Sequence, residues 1–220
     1  MFNSVAFDLD GTLIDSSQSI LSSIRWALNE HSLTLDIPLC PSMIGPPLSS
    51  LLASLFPSIS SPAVAEISAS FKSYYDTYGC LMASPYKGVY DMLDDLARHG
   101  VEIYIVTNKR QLPTLKILEW LGWLSLFSGV VTQDLLETPF SSKEYSLEYF
   151  LLKFALEGSK TPYVGDRMTD LLAAKANSMP FVYAEWGYGF SDGFIFNSSF
   201  PVMKAPSAAV ISTYLSFLDN

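Results

Sequence analysis

Two carboxylates separated by one residue end an apolar run in Val5-Ala6-Phe7-Asp8-Leu9-Asp10-Gly11-Thr12-Leu13. Alternate side chains of a strand share a face, so Asp8 and Asp10 leave the strand end pointing into one space. At a separation of about 6 Å and an effective dielectric of about 20, their repulsion is roughly 3 kcal/mol. A divalent cation removes that cost, and Mg²⁺ favours carboxylate and water oxygens beside phosphate. The plainer alternative is a surface turn, where Asp and Gly are common.

Three further segments offer matching chemistry. Thr107 and Asn108, in Ile105-Val106-Thr107-Asn108-Lys109, place a hydroxyl, an amide and a backbone N–H at an expected helix start, where an anion is favoured. Read alone, they also suit an ordinary N-cap. In Tyr163-Val164-Gly165-Asp166-Arg167-Met168-Thr169-Asp170 a second apolar run ends at an acid, with another acid four residues on. A helix starting between Asp166 and Asp170 puts them one turn apart, so both can address one cation. Lys143, before a helical segment, can neutralise Asp8 and a phosphate oxygen, or else stand solvated at a helix start.

Something must bring these segments together. Strand-like runs at 4–7, 101–106, 129–132, 161–164 and 180–183 alternate with amphipathic stretches at 89–98, 112–121, 143–156 and 170–176. That alternation predicts βαβ crossovers and a Rossmann-like parallel sheet with helices on both faces, an α/β core. Ligands of such a sheet bind at the carboxyl ends of its strands, where Asp8, Asp10, Thr107 and Asp166 all fall. Between Asp15 and Ser84 the pattern is helical instead, at 20–30, 48–55 and 63–78, broken by Pro38, Pro41, Pro46-Pro47 and Pro57. The expected organisation is a core of residues 1–15 and 86–220, interrupted by an α-helical cap domain at 16–85.

Composition narrows the class. In 220 residues, 49% hydrophobic content and 14% aromatics exclude a disordered chain, and a net charge of −9 argues against nucleic acid. The N-terminus lacks a basic leader, and no apolar stretch reaches the 18 or so residues of a membrane span. Cys40 and Cys80 form neither a metal-binding pair nor a secreted framework, which predicts reduced thiols in a cytoplasmic protein.

Taken in order, Asp8-Leu9-Asp10-Gly11-Thr12, Thr107-Asn108-Lys109, Lys143 and Gly165-Asp166-Arg167-Met168-Thr169-Asp170 resemble the motifs of the haloacid dehalogenase-like hydrolases. The helical insert resembles the small cap of the subgroup that contains phosphoglycolate phosphatases. Likeness extends to Leu13-Ile14-Asp15-Ser16, Ile44-Gly45-Pro46-Pro47-Leu48, Tyr86-Lys87-Gly88-Val89 and Asp170-Leu171-Leu172-Ala173-Ala174-Lys175-Ala176. The resemblance implies a Mg²⁺-dependent phosphatase acting on a small phosphate ester. Asp8 would be the nucleophile and Asp10 the general acid and base. Gly11, Thr12, Thr107, Asn108 and Lys143 would surround the phosphoryl group. Asp8, Asp10 (through its carbonyl) and Asp166 would hold the metal, supported by Asp170, and the cap would close over the site. The chain departs from the pattern at Glu144 and Lys87, where proline is common, and at Asn177-Ser178, which replaces an Ala-Gly turn. There Asn177 could supply the left-handed residue that a helix end needs.

Other residues invite plainer readings. His31 and His99 lie in no catalytic or metal spacing, and His99-Gly100 reads as a helix end. Trp120 and Trp123, with Leu118, Leu121 and Phe127, are expected to pack on the sheet. Tyr74, Tyr75 and Tyr78 could reach a substrate, though helical spacing usually means burial. Arg25, Lys72 and Lys87 are the candidates for a second substrate anion. A mutase acting on a sugar phosphate would use the same core residues, and a phosphate- or partner-binding protein could retain the fold. A dehalogenase has no need of Asp10.

Overall fold

A computed structural model describes residues 2–44, 48–189 and 200–218. The chain opens with β1 (Ser4–Phe7) and the short β2 (Ile14–Asp15). Helices α1 (Ser17–Glu30), α2 (Leu48–Leu55) and α3 (Ser61–Thr77) follow, and then the short β3 (Ser84–Pro85). Next come α4 (Val89–Arg98), β4 (Glu102–Thr107), α5 (Gln111–Trp120), β5 (Gly129–Thr132) and α6 (Lys143–Lys153). The chain continues through β6 (Tyr163–Gly165), α7 (Met168–Ala176), β7 (Phe181–Ala184), β8 (Val202–Ala205) and α8 (Ile211–Leu218).

It divides into two compact units, Met1–Asp15 with Ser84–Asn220, and Ser16–Ala83. The first is a Rossmann-like α/β core whose six parallel strands run in the order β5-β4-β1-β6-β7-β8. Strand β1 lies in the middle, and the order reverses beside it, the place where such sheets open a crevice for ligands. Its four residues are all buried, because helices cover both faces of a parallel sheet. On one face Ala6, Tyr104, Val106, Val131, Tyr163 and Phe181 pack against Leu147 and Phe150 of α6 and Leu171 and Ala174 of α7. Each large side chain so buried contributes about 1.5–3 kcal/mol. The short β2 and β3 pair antiparallel, Asp15 opposite Ser84, so the chain leaves and re-enters this unit from one ribbon.

The second unit is helical and has its own core of Ile24, Ala27, Leu28, Leu51, Leu52 and Ile67. Tyr75 is buried in it, Tyr74 stacks on Trp26 at 4.7 Å, and Tyr78 is exposed. Of the expected segment Ile44 to Leu48, Gly45-Pro46-Pro47 lie outside the described residues. Among the described residues no helix is long and apolar enough to cross a membrane.

Strand β8 and helix α8 extend the core beyond the five strands expected, since Val202-Met203-Lys204-Ala205 is too short and mixed to stand out as a strand. Trp120 differs from expectation: it is 65% exposed, whereas Trp123 and Leu118 are buried. The inward stripe of α5 is Pro113, Thr114, Ile117 and Leu118, and Trp120 falls outside it. At the end of α7 the left-handed residue is Ser178 (φ 55°), while Asn177 stays at φ −97°. The Asn177 amide instead donates to the carbonyls of Glu144 and Ala173, both at 3.0 Å, joining the end of α7 to the start of α6.

Candidate active site

Asp8 follows directly on β1, and its N–H donates to the Val164 carbonyl of β6 at 2.9 Å, which carries the strand pairing one residue past β1. The chain then folds back sharply: the Leu9 carbonyl accepts N–H groups from Thr12, Leu13 and Ile14. Gly11 makes this turn at φ +90°, and a side chain there would strike the Asp166 carboxylate. The turn thus lifts Asp10 out of the strand and sets it beside the other strand ends.

Lys143 is the first residue of α6, with Ser142 as N-cap and Glu144 in the first turn, where a carboxylate suits the helix dipole. The helix therefore starts here without the proline of the family pattern. The buried ammonium donates to Asp8 Oδ1 at 2.6 Å, Tyr163 Oη at 2.9 Å and the Val106 carbonyl at 3.2 Å, and lies 3.2 Å from Asp170 Oδ1. The Tyr163 hydroxyl in turn donates to the Val106 carbonyl at 2.9 Å. Burial alone would lower the Lys143 pKa, but Asp170 and Asp8 outweigh it and hold the ammonium well above the ordinary lysine value.

Asp8, Asp166 and Asp170 are all buried, each offering an oxygen within 4.8 Å of the others. Burial pushes Asp8 up to about 6 despite Lys143, with the Asp170 charge adding to the rise. It pushes Asp166 up to about 7, helped by the charges of Asp8 and Asp170. Three buried carboxylates share this space and the Lys143 ammonium pairs with two of them, Asp8 and Asp170, which leaves negative charge in excess. An all-oxygen donor set of that charge fits a hard divalent cation. Asp170 has a second duty, its Oδ2 accepting the Arg167 N–H at 3.0 Å and capping α7.

Asp10 stands apart from this trio. Both of its oxygens accept from the Lys109 ammonium at 3.0 Å, with the lysine side chain 6% and the aspartate 23% exposed. Thr12 is buried and donates to Asp166 Oδ1 at 3.4 Å. Thr107 is buried, its hydroxyl accepting the Lys109 N–H at 3.2 Å, while Asn108 is exposed on the same loop. Helix α5 begins only at Gln111, whose N–H donates to Asp134 Oδ1 at 2.6 Å, so the chain's own carboxylate sits where an anion was expected near Asn108.

Residues 5–184 match the family model described as haloacid dehalogenase-like hydrolase. The chain belongs to the haloacid dehalogenase-like hydrolase family. It is 31% identical over 190 residues to a phosphoglycolate phosphatase of Xylella fastidiosa, covering 84% of this chain and 80% of that one. A solved haloacid dehalogenase-like hydrolase from Streptococcus pneumoniae shares the fold at a TM-score of 0.82 and 24% identity, over 97% of this chain and 98% of that one. The Mycobacterium tuberculosis protein named Protein Tyrosine Kinase A matches at a TM-score of 0.78 and 30% identity, over 97% and 98% of the two chains.

Within this family member, several site residues went unassigned from the sequence. Lys109 sits inside a recognised segment, next to Thr107-Asn108, and only the fold shows what its ammonium meets. Tyr163 is marked by strand alternation, since it faces away from Val164 toward α6. Trp186-Gly187-Tyr188 follows β7, another strand end on the same edge, and that position was the available signal. Trp186 Nε1 donates to the Thr12 carbonyl and the Tyr188 N–H to Asp166 Oδ2, both at 2.9 Å. A side chain at Gly187 would collide with the Gly11 carbonyl and Asp166. Tyr86, raised above the ordinary tyrosine value by burial and by Asp15, Asp166 and Asp10, borders the same carboxylates.

Proposed function

We propose that this family phosphatase hydrolyses a small phosphorylated metabolite of the phosphoglycolate kind, in a Mg²⁺-dependent reaction through an aspartyl phosphate on Asp8. The observation that carries the reading is Asp8 at the central strand end, 2.6 Å from the Lys143 ammonium and grouped with two more buried carboxylates. The curated relative named phosphoglycolate phosphatase supports the substrate class. The inserted unit Ser16–Ala83 is read as the cap.

A carboxylate oxygen of Asp8 attacks phosphorus and the ester P–O bond breaks, while Asp10 gives its proton to the departing alkoxide. Water then attacks the aspartyl phosphate and passes a proton to Asp10. The bond from phosphorus to Asp8 breaks, releasing phosphate and restoring the Asp8 carboxylate and the protonated Asp10. Splitting one displacement into two is the gain of covalent catalysis, and the positioned proton transfer adds about 10²–10⁴-fold. Lys143 and Thr107 hold the phosphoryl oxygens, Lys143 opposing the charge that builds on them. Gly11, Thr12 and Asn108 complete the surrounding loops. Asp8, Asp166 and the Asp10 carbonyl are the proposed metal ligands, and Asp170 supports them by fixing Lys143. When bound, Mg²⁺ neutralises phosphate and carboxylate charge. The reading assigns the enzyme to the cytoplasm, with neither nucleic acid nor membrane as partner.

Phosphate release from a panel of phosphorylated metabolites, with Mg²⁺ and with EDTA, tests the proposal on wild type and Asp8→Asn. Mg²⁺-dependent release from wild type, absent in the variant, is expected. Undiminished turnover by Asp8→Asn would falsify the nucleophile assignment.

A further inference from the structure

Asp166 is held from two loops. Thr12 donates to its Oδ1 at 3.4 Å, and the Tyr188 N–H, beyond the end of β7, donates to Oδ2 at 2.9 Å. Burial and the charges of Asp8 and Asp170 disfavour a charged Asp166, whereas Arg167 and the Tyr188 N–H favour it. Both favourable groups meet in one residue. The Arg167 guanidinium carbon lies 5.6 Å from the centre of the Tyr188 ring, within cation–π range. The ring edge rests against the Gly11 turn, where an added Cβ would meet Tyr188 Cδ2. At the far end of the ring the hydroxyl donates to Asp15 Oδ1 at 3.4 Å and is hydrogen-bonded to Tyr86. Asp15 belongs to β2 and Tyr86 follows β3, so this end is anchored at the antiparallel ribbon of the core unit.

We infer that Tyr188 is a positioning residue for Asp166, acting through a side chain that the β2–β3 ribbon holds in place. The inference rests on the reading of Asp166 as a metal ligand and adds a residue outside the ligand set. The N–H that grips Asp166 lies in a loop, where no strand ladder fixes its direction. Its aim therefore depends on the anchors of its own side chain: Arg167 over the ring, Gly11 at the edge, Asp15 and Tyr86 at the hydroxyl. A ligand carboxylate already fixed by hydrogen bonds meets a cation with its oxygens aimed, so affinity depends on the ligand's partners as well as on the ligand. Loss of the hydroxyl frees one end of the ring. Loss of the ring also removes the contacts with Arg167 and the Gly11 turn.

The test measures cation binding directly, with Mn²⁺ as the probe because it shares the oxygen preference of Mg²⁺. Free Mn²⁺ is followed by electron paramagnetic resonance for wild type, Tyr188→Phe, Tyr188→Leu, Asp15→Ala and the double variant Tyr188→Phe/Asp15→Ala. Asp166→Asn marks the binding that belongs to this site. Tyr188→Phe, which keeps the ring, is expected to raise the Kd roughly 3- to 10-fold, the range of one hydrogen bond. Tyr188→Leu, which loses the ring, should raise it about 10- to 100-fold. Asp15→Ala should weaken binding no more than Tyr188→Phe does. The double variant should match Tyr188→Phe, since both changes break the same contact. A lower melting temperature with an unchanged Kd is what a merely structural tyrosine gives, and it overturns the inference. Losses that multiply in the double variant overturn it too, with the ligand reading intact. If wild type binds no more Mn²⁺ than Asp166→Asn, the reading of Asp166 as a ligand falls together with the inference.

Discussion

Lys143 and Asp8, 135 positions apart in sequence, meet at 2.6 Å with both side chains almost fully buried. The pair forms because Asp8 follows the end of β1 and Lys143 opens α6, whose first turn reaches the ends of β1 and β4. Replacing Lys143 by Met keeps the volume of the stem but leaves Asp8 and Asp170 without their shared ammonium. Removing one partner of a buried ion pair costs about 3–5 kcal/mol. Lys143→Met is expected to lose that much stability in metal-free urea titrations and to release phosphate at under 1% of the wild-type rate.

Tyr163 gives a subtler test of the same ammonium. Its hydroxyl accepts from Lys143 and donates to Val106, so it fixes the direction of one Lys143 proton. Tyr163→Phe removes one hydrogen-bonding group and no charge, an effect of about 0.5–1.5 kcal/mol. A fall in kcat of roughly 2- to 10-fold is expected, with the melting temperature lowered by only a few degrees. Tyr104→Phe is the control, since that hydroxyl meets Glu102. Equal kinetic effects of the two substitutions would show that Tyr163 does not orient the lysine.

The metal-free protein should respond to pH in a defined direction. Asp8 at about 6 and Asp166 at about 7 both bind protons more tightly folded than unfolded, where a carboxylate titrates near 4. Between about pH 4 and 7 the folded state therefore holds more protons, and these groups contribute a loss of stability as pH rises. A cation competes with protons for the same oxygens. The rise in melting temperature on adding Mg²⁺ should consequently be larger at pH 8 than at pH 5. Equal increments at both values would count against metal binding by this trio.

Gly187 is the fourth point of attack. It lies so close to the Gly11 carbonyl and Asp166 that no Cβ fits without displacing backbone. Gly187→Ala should cost about 1–3 kcal/mol through overpacking. It should also raise the Mg²⁺ concentration for half-maximal activity severalfold, because the Asp166 carboxylate and the Tyr188 N–H that holds it must shift. An unchanged Mg²⁺ requirement would mean that Asp166 tolerates the displacement.

The α/β alternation, the helical insert and the carboxylate segments were legible in the sequence because each is local. Burial on both faces imposes continuous apolar runs on a parallel strand, and a strand end that binds charge must stop at polar residues. Asp8, Asp10 and Asp166 could be read from that punctuation alone. Strand β8 could not, since an edge strand pairs on one side only and its pattern is weak. Local spacing also misled for Trp120 and Asn177, where the outcome depended on which neighbours the helix faced.

Contacts decided by topology lay beyond the sequence. That Lys143 would meet Asp8, that Lys109 would span Asp10 and that Gly187 would press on Asp166 depends on the strand order β5-β4-β1-β6-β7-β8. That order delivers loops distant in sequence to one edge of the sheet. Residue type and spacing determined which groups could do chemistry. The tertiary structure decided which carboxylate each ammonium holds, because a short-range electrostatic contact exists only where folding has already brought two charges within hydrogen-bond reach.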